Sequence, residues 1–154
     1  MGNETLELDL DYIQKKYEKN KFSNEENIKN KVVRHFLEML DYDEDSFDYE
    51  HKTLHRKGRA DIVITVGNND NNCLYIETKK ANEPLDAEAK DQLATYIFNR
   101  GKEWGILTNG RKYLLFNSNI KGHNNLERIV FEVDIFNKKD KRFIKASCKI
   151  KLAS

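Results

Sequence analysis

The stretch from Arg59 to Lys80 constrains the fold more than any other part of the sequence. Its first segment, Arg59–Val66, is short and rich in Ile and Val, and its second, Cys73–Lys80, alternates apolar and polar residues with the period of a strand. The residues between them, 67–72, are all Gly, Asn or Asp, which favour turns. We therefore predict an antiparallel hairpin around a six-residue loop.

Charged residues meet at one end of this hairpin. Folding brings Asp61, early in the first strand, beside Glu77 and Lys79, late in the second. Charges on buried strands are costly unless they are paired or bind a metal. Two carboxylates suit Mg²⁺, and a nearby lysine can hold a water close to a phosphate and offset developing charge. The pattern predicts a site for phosphodiester hydrolysis, with a structural ion pair as the alternative.

Composition indicates one domain that spans residues 1–154. The 8 Phe and 7 Tyr residues supply core material in an otherwise polar chain. Cys73 and Cys148 both fall in predicted strands, as expected for buried thiols of a reduced cytoplasmic protein. The sequence shows no signal peptide and no apolar run of membrane length.

Charge is unevenly distributed along the chain. Residues 1–50 carry 7 basic and 14 acidic residues, whereas residues 51–154 carry 20 basic and 12 acidic residues. The second part, with a net charge of +8, suits a phosphate backbone. A solvated lysine-rich surface explains the same excess equally well.

Apolar periodicity predicts three helices. The first covers about residues 6–19, and the second opens at a capping box of Ser23 and Glu26. In this register Glu25 points towards the sheet and Glu26 turns about 100° away from it. The third helix runs from Leu85 to Asn99, with Pro84 in its first turn.

Further strands are predicted on both sides of the hairpin. They cover residues 47–55, 104–108, 112–116, 128–136 and 144–152, with a two-residue Asn109-Gly110 turn between the second and third of these. The order of elements indicates an α/β or α+β domain with a central mixed sheet flanked by helices.

The spacing of Asp61 from Glu77-Thr78-Lys79 resembles the signature of the PD-(D/E)XK nuclease superfamily. Five ordered segments between about residues 23 and 116 further resemble the N-terminal nuclease domain of type I restriction enzyme R subunits. They are NEENIKNKVVRHFLEMLDY, GRADIVI, YIETKKANEPL, a Gln92-x-x-x-Tyr96 helix and WGILTNGRKYLLF. The resemblance implies a restriction-endonuclease-like fold.

It also implies metal ligands. Asp61 and Glu77 would bind Mg²⁺, with Mn²⁺ as a substitute, and the backbone carbonyl of Thr78 would be a third ligand. Glu25 would bind the metal directly or through water.

The remaining roles carried over concern the substrate. Lys79 would position the attacking water, and Gln92 and Tyr96 would support the site or touch DNA. The usual Leu-Gly-Tyr after the second helix is Leu40-Asp41-Tyr42 here, which affects the expected geometry of that loop.

Three functional hypotheses follow. The first is a Mg²⁺-dependent DNA endonuclease of the restriction type, with DNA and other restriction-modification subunits as partners. The second is a DNA-binding or assembly module with the same fold that does not cut by itself. The third is a junction-resolving or RNA-directed nuclease. No G-x-x-x-x-G-K-[ST] phosphate loop of a translocating motor occurs in the sequence.

Overall fold

The chain forms a mixed sheet with helices on both faces. The computed structural model of the protein describes residues 3–40, 42, 47–49, 62–65, 73–122 and 124–137. The helical segments in these ranges are α1 (Asn3–Asn20), α2 (Glu25–Ile28), a π-helical turn (Lys29–Val33), α3 (Arg34–Met39), α4 (Ala87–Asn99) and a 3₁₀ turn (Asn125–Arg128). The strands are β1 (Phe47–Tyr49), β2 (Ile62–Thr65), β3 (Cys73–Thr78), β4 (Trp104–Thr108), β5 (Lys112–Asn117) and β6 (Ile129–Asp134).

The strands lie side by side in chain order. All neighbours pair antiparallel except β3 and β4, which run parallel on either side of the α4 connection. The predicted β2–β3 hairpin and the mixed sheet are therefore confirmed. The predicted 67–72 loop and 144–152 strand lie outside the described residues.

Side chains that alternate along the strands build a core on each face of the sheet. On one face, α1, α2, the π-helical turn and α3 pack against strand residues that include Ile62, Ile76 and Ile106. On the other face, α4 packs against Leu107, Leu114 and Phe116. Each fully buried Ile or Leu contributes about 1.5–3 kcal/mol to stability. The predicted helical stripe is buried as expected: it consists of Ile28, Val32, Phe36 and Leu40.

Local chemistry fixes the ends of α4. Asp86 caps its first turn, because Asp86 Oδ1 accepts a hydrogen bond from the Ala89 N–H at 2.9 Å. The helix therefore begins at Ala87, and its predicted start at Leu85 is two residues too early. Gly101 ends the helix as predicted, with φ of 64° in the left-handed region.

The turn between β4 and β5 is longer than the predicted two residues. Asn109–Arg111 separates the strands, and Asn109 Oδ1 accepts the N–H groups of Arg111 and Lys112. This side-chain capping of the backbone stabilises the wider turn. Gly110 takes φ of 88°, which residues with a Cβ rarely adopt.

Candidate active site at the end of β3

The end of β3 presents the predicted glutamate and lysine together. Lys79 Nζ lies 3.6 Å from Glu77 Oε1, with the side chains 20% and 25% exposed respectively. The Lys79 N–H donates to the Thr108 carbonyl at 2.8 Å, which extends the parallel pairing with β4 past the end of β3. The sheet backbone thus holds a partly buried carboxylate–ammonium pair at this strand end.

Thr78 faces away from this pair. It is fully buried on the face covered by α1–α3, because side chains of successive strand residues point to opposite faces. Because the Thr78 side chain points to the other face, the backbone carbonyl is the group of Thr78 that lies at the strand end with Glu77. Its role as a metal ligand stays a prediction.

Asp61, the other predicted carboxylate, lies outside the described residues. Its neighbour in sequence, Ile62, lies opposite Ile76, the residue that precedes Glu77. Within the ranges that the structure describes, no three His, Cys, Asp or Glu residues come together. Glu77 nevertheless lies near the end of the second hairpin strand, and its carboxylate is the kind of hard oxygen donor that Mg²⁺ prefers.

The α4 helix borders the same sheet face as Glu77. The Tyr96 ring meets the Tyr75 ring edge-on, with centroids 5.4 Å apart, and both pack against Val63. Because α4 connects parallel strands, it runs back along the sheet, opposite to β3. Gln92 therefore lies one helical turn, about 6 Å, before Tyr96. The step from Tyr96 to Gln92 points the same way as the step from Tyr75 to Glu77 along β3, which has a similar length.

Gln92 is exposed and Tyr96 is half-buried. The structure thus brings both members of the predicted helix pair to the face of the sheet that carries Glu77. Arg100, one further turn along α4, places its guanidinium 4.6 Å from the centroid of the Tyr96 ring. This contact was not predicted from the sequence, although the i, i+4 spacing of Tyr96 and Arg100 is a usable signal for it.

The start of α2 contradicts the predicted capping box. Asn24, not Ser23, caps the helix, because Asn24 Oδ1 accepts the Asn27 N–H at 2.8 Å. Ser23 Oγ instead donates to the Asn20 carbonyl. Asn side chains cap as well as Ser, so the residue nearer the helix prevails. Glu25 is consequently the first helical residue and is half-buried.

Glu26 has a different partner from the predicted one. Its Oε1 lies 2.9 Å from the ammonium of Lys29 and accepts a hydrogen bond from Asn30 Nδ2 at 3.2 Å. The Lys29 side chain is only 5% exposed, and Lys29 opens the π-helical turn. Nothing in the apolar periodicity signals a buried lysine at this position. Glu26 therefore serves as a counter-ion of a buried charge.

Contacts with Gly110 place α2 at the end of the sheet that carries Lys79. A Cβ at Gly110 would lie 3.0 Å from Ile28 Cγ2 and 3.3 Å from Tyr17 Cδ2. Gly110 lies two residues after Thr108, whose carbonyl accepts the Lys79 N–H. The buried Tyr113 hydroxyl donates to the Gly110 carbonyl at 3.3 Å, and burial holds the pKa of Tyr113 well above its ordinary value. Glu25, one turn before Ile28, thus begins its helix near this end.

The residues that the structure describes form a mixed sheet of six strands with flanking helices and a carboxylate–lysine pair at a strand end, the architecture of a restriction-endonuclease-like α+β domain. Residues 24–130 match the sequence profile of the family described as Type I restriction enzyme R protein N terminus. This match covers more than half of the chain, so the protein belongs to that family.

The fold agrees with a solved structure. The chain is similar to a chain of the cryoEM structure of the DrdV–DNA complex, with a TM-score of 0.58 and 18% identity over 99% of this chain and 96% of that chain. A comparison with curated proteins finds no match. No helix in the described ranges is both long enough and apolar enough to cross a membrane.

Proposed function

We propose that this domain is a Mg²⁺-dependent DNA endonuclease of the restriction type. The observation that carries the proposal is the Glu77–Lys79 pair at the end of β3, opposite the strand that Asp61 precedes. Membership of the restriction R-protein family and the fold shared with a protein of a DNA complex support the same conclusion.

The carboxylates provide the donor set for a divalent cation. We take the β2–β3 register to continue one residue beyond the Ile62–Ile76 pair, which would set Asp61 opposite Glu77 and let both carboxylates bind one ion. Glu25 and the Thr78 carbonyl complete the proposed ligands. When bound, Mg²⁺ supplies Lewis-acid stabilisation of charge on the phosphate, and Mn²⁺ can replace it.

Lys79 performs a separate task in this proposal. Its ammonium orients the attacking water and offsets negative charge as the water oxygen bonds to phosphorus and the bond to the leaving sugar oxygen breaks. The 3.6 Å contact with Glu77 holds the ammonium beside the proposed ion site. In this proposal the exposed Gln92 touches the DNA, and Tyr96, which packs against Tyr75, supports the site.

The test of this function is conversion of supercoiled plasmid to nicked and linear forms. The purified chain should nick DNA with Mg²⁺ or Mn²⁺ and not with EDTA, and Asp61→Ala should abolish nicking. An absence of metal binding, together with unchanged nicking by Asp61→Ala, would contradict the proposal.

The same Glu77–Lys79 contact also fits a second function, because a structural ion pair would have this geometry. In that case the domain binds DNA or another restriction subunit without cutting. It would show salt-dependent DNA binding that survives Lys79→Ala, with no metal-dependent cleavage. A comparison of duplex, branched and single-stranded substrates would separate a restriction-type nuclease from a junction-resolving or RNA-directed one.

A further inference from the structure

A large aromatic side chain is displayed at the tip of the helical hairpin formed by α1 and α2. Phe22 is 85% exposed, the highest value among the exposed large apolar side chains of the described residues. Exposure of a whole phenylalanine ring forgoes the free energy of its burial. Because single exposed aromatic rings are common on protein surfaces, a functional role for Phe22 depends on its surroundings.

The segment that carries Phe22 is well ordered by its own hydrogen bonds. The Ser23 N–H and hydroxyl both donate to the Asn20 carbonyl, and the buried Asn20 amide donates to the Lys16 carbonyl. Asn24 then caps α2 immediately after the turn. The Phe22 ring is thus presented from a preorganised turn, which reduces the entropy lost on binding.

Both legs of the hairpin contact the end of the sheet where Lys79 lies. Tyr17 on α1 and Ile28 on α2 both lie against Gly110, and the Tyr17 hydroxyl donates to the Ala81 carbonyl at 3.4 Å. Phe22 lies midway between Tyr17 and Ile28 in sequence. The tip of the hairpin therefore projects past the same sheet end that carries the Glu77–Lys79 pair.

The surroundings of the ring are basic and polar. The Lys21 ammonium lies 5.4 Å from the Phe22 ring centroid, and Lys19 is exposed on the last turn of α1. Lys21 pairs with the acidic neighbour Glu18, with 2.6 Å between the ammonium and Oε2, so these two charges offset each other and Lys19 adds a net positive charge. An aromatic ring flanked by lysines fits nucleic acid, in which bases or sugars meet the ring and phosphates meet the ammonium groups.

We propose that Phe22, flanked by Lys19 and Lys21, is a DNA-contacting wedge that enters a groove of the duplex held at the Glu77–Lys79 site. This inference rests on the proposed function, because that function is what places a duplex across this end of the sheet. The wedge contributes to affinity and to the position of the duplex, not to the chemical step.

Phe98 provides a matched control. It is also an exposed phenylalanine, at 59%, and it has an arginine guanidinium, that of Arg128, 5.6 Å from its ring centroid. It lies near the C-terminal end of α4, just before β4 begins, and hence towards the opposite end of the sheet from Lys79.

The experiment measures binding of a fluorescein-labelled mixed-sequence duplex by anisotropy, with Ca²⁺ in place of Mg²⁺. Phe22→Ala should weaken binding roughly tenfold, Phe22→Tyr should restore it to within about twofold, and Phe98→Ala should stay within about twofold. Melting temperatures of all variants should match the wild type, since both rings are exposed.

The proposal is overturned if Phe22→Ala binds as the wild type does, if Phe98→Ala weakens binding equally, or if the wild type binds no duplex. Binding is measured here without cleavage. A wild-type protein that binds duplex through Phe22 but never nicks plasmid would therefore contradict the proposed nuclease activity and not the proposed DNA contact of Phe22.

Discussion

Ile62 of β2 lies opposite Ile76 of β3 in the antiparallel hairpin. Each of these residues is fully buried against the α1–α3 layer, so a slip of one residue would expose both and turn their neighbours inward. The buried pair therefore fixes the register of the hairpin. That register determines which residues before β2 and at the end of β3 share the opposite face.

Lys79→Ala should abolish cleavage while metal binding holds or becomes stronger. The ammonium competes with a cation for Glu77, so its removal favours the ion, whereas loss of the group that orients the water lowers the rate by roughly 10²-fold or more. Metal titration by calorimetry and plasmid nicking measure the two effects, with exposed Lys80→Ala as control. A Lys79→Ala variant that cuts at the wild-type rate would make the lysine a structural counter-ion.

Neighbouring residues at the start of α2 should have separable roles. Asn24→Ala removes the cap and should lower the free energy of unfolding by about 1 kcal/mol, with cleavage retained. Glu25→Gln should raise the metal concentration needed for cleavage with a smaller loss of stability. Denaturant unfolding and metal-dependent nicking test both variants, and a Glu25→Gln enzyme with an unaltered metal requirement would remove Glu25 from the site.

The buried Lys29 charge makes the response to mutation asymmetric. Glu26→Gln removes one counter-ion of Lys29 and should destabilise the fold by about 1–2 kcal/mol, reduced by the partial exposure of Glu26. Lys29→Met removes the buried charge itself and should cost less, because apolar replacement of a buried charge is often close to neutral. Urea unfolding of the two variants measures the order, and a larger loss for Lys29→Met would contradict it.

Two glycines with positive φ should differ in their tolerance of alanine. At Gly101 a Cβ meets nothing within 4 Å, so only the cost of the left-handed backbone, about 1 kcal/mol, is expected. At Gly110 the same Cβ would lie 3.0 Å from Ile28 Cγ2, which adds a packing cost. Gly110→Ala should therefore lower the melting temperature more than Gly101→Ala, and equal shifts would show that α2 is not seated tightly on this turn.

Elements with strong apolar periodicity or with clear turn and capping residues at their ends were predicted well from the sequence. The β4 strand has the predicted bounds, α4 ends at Asn99 before Gly101, and the β2–β3 pairing has the predicted direction. These features depend on local chemistry and on alternation, both of which are readable in a single chain.

Features that depend on competition between neighbours or on tertiary burial were not predictable in this way. Ser23 and Asn24 are both good caps, and only the folded structure shows that Asn24 is used. Lys29 lies one residue after the apolar stripe begins, and its burial follows from the packing of α2 and the π-helical turn. At the site, the Glu77–Lys79 and Gln92–Tyr96 pairs followed from spacing, whereas the Tyr75 and Arg100 contacts of Tyr96 depend on how α4 crosses the sheet.

The central claim is that the carboxylate at the end of β3 serves metal-dependent DNA cleavage. The most direct measurement is the rate of plasmid nicking as a function of Mn²⁺ concentration for the wild type, Glu77→Gln and the exposed control Glu83→Gln. We expect saturable, EDTA-sensitive nicking by the wild type and by Glu83→Gln, and none by Glu77→Gln although it remains folded. Nicking by Glu77→Gln with the rate and metal dependence of the wild type would contradict the claim.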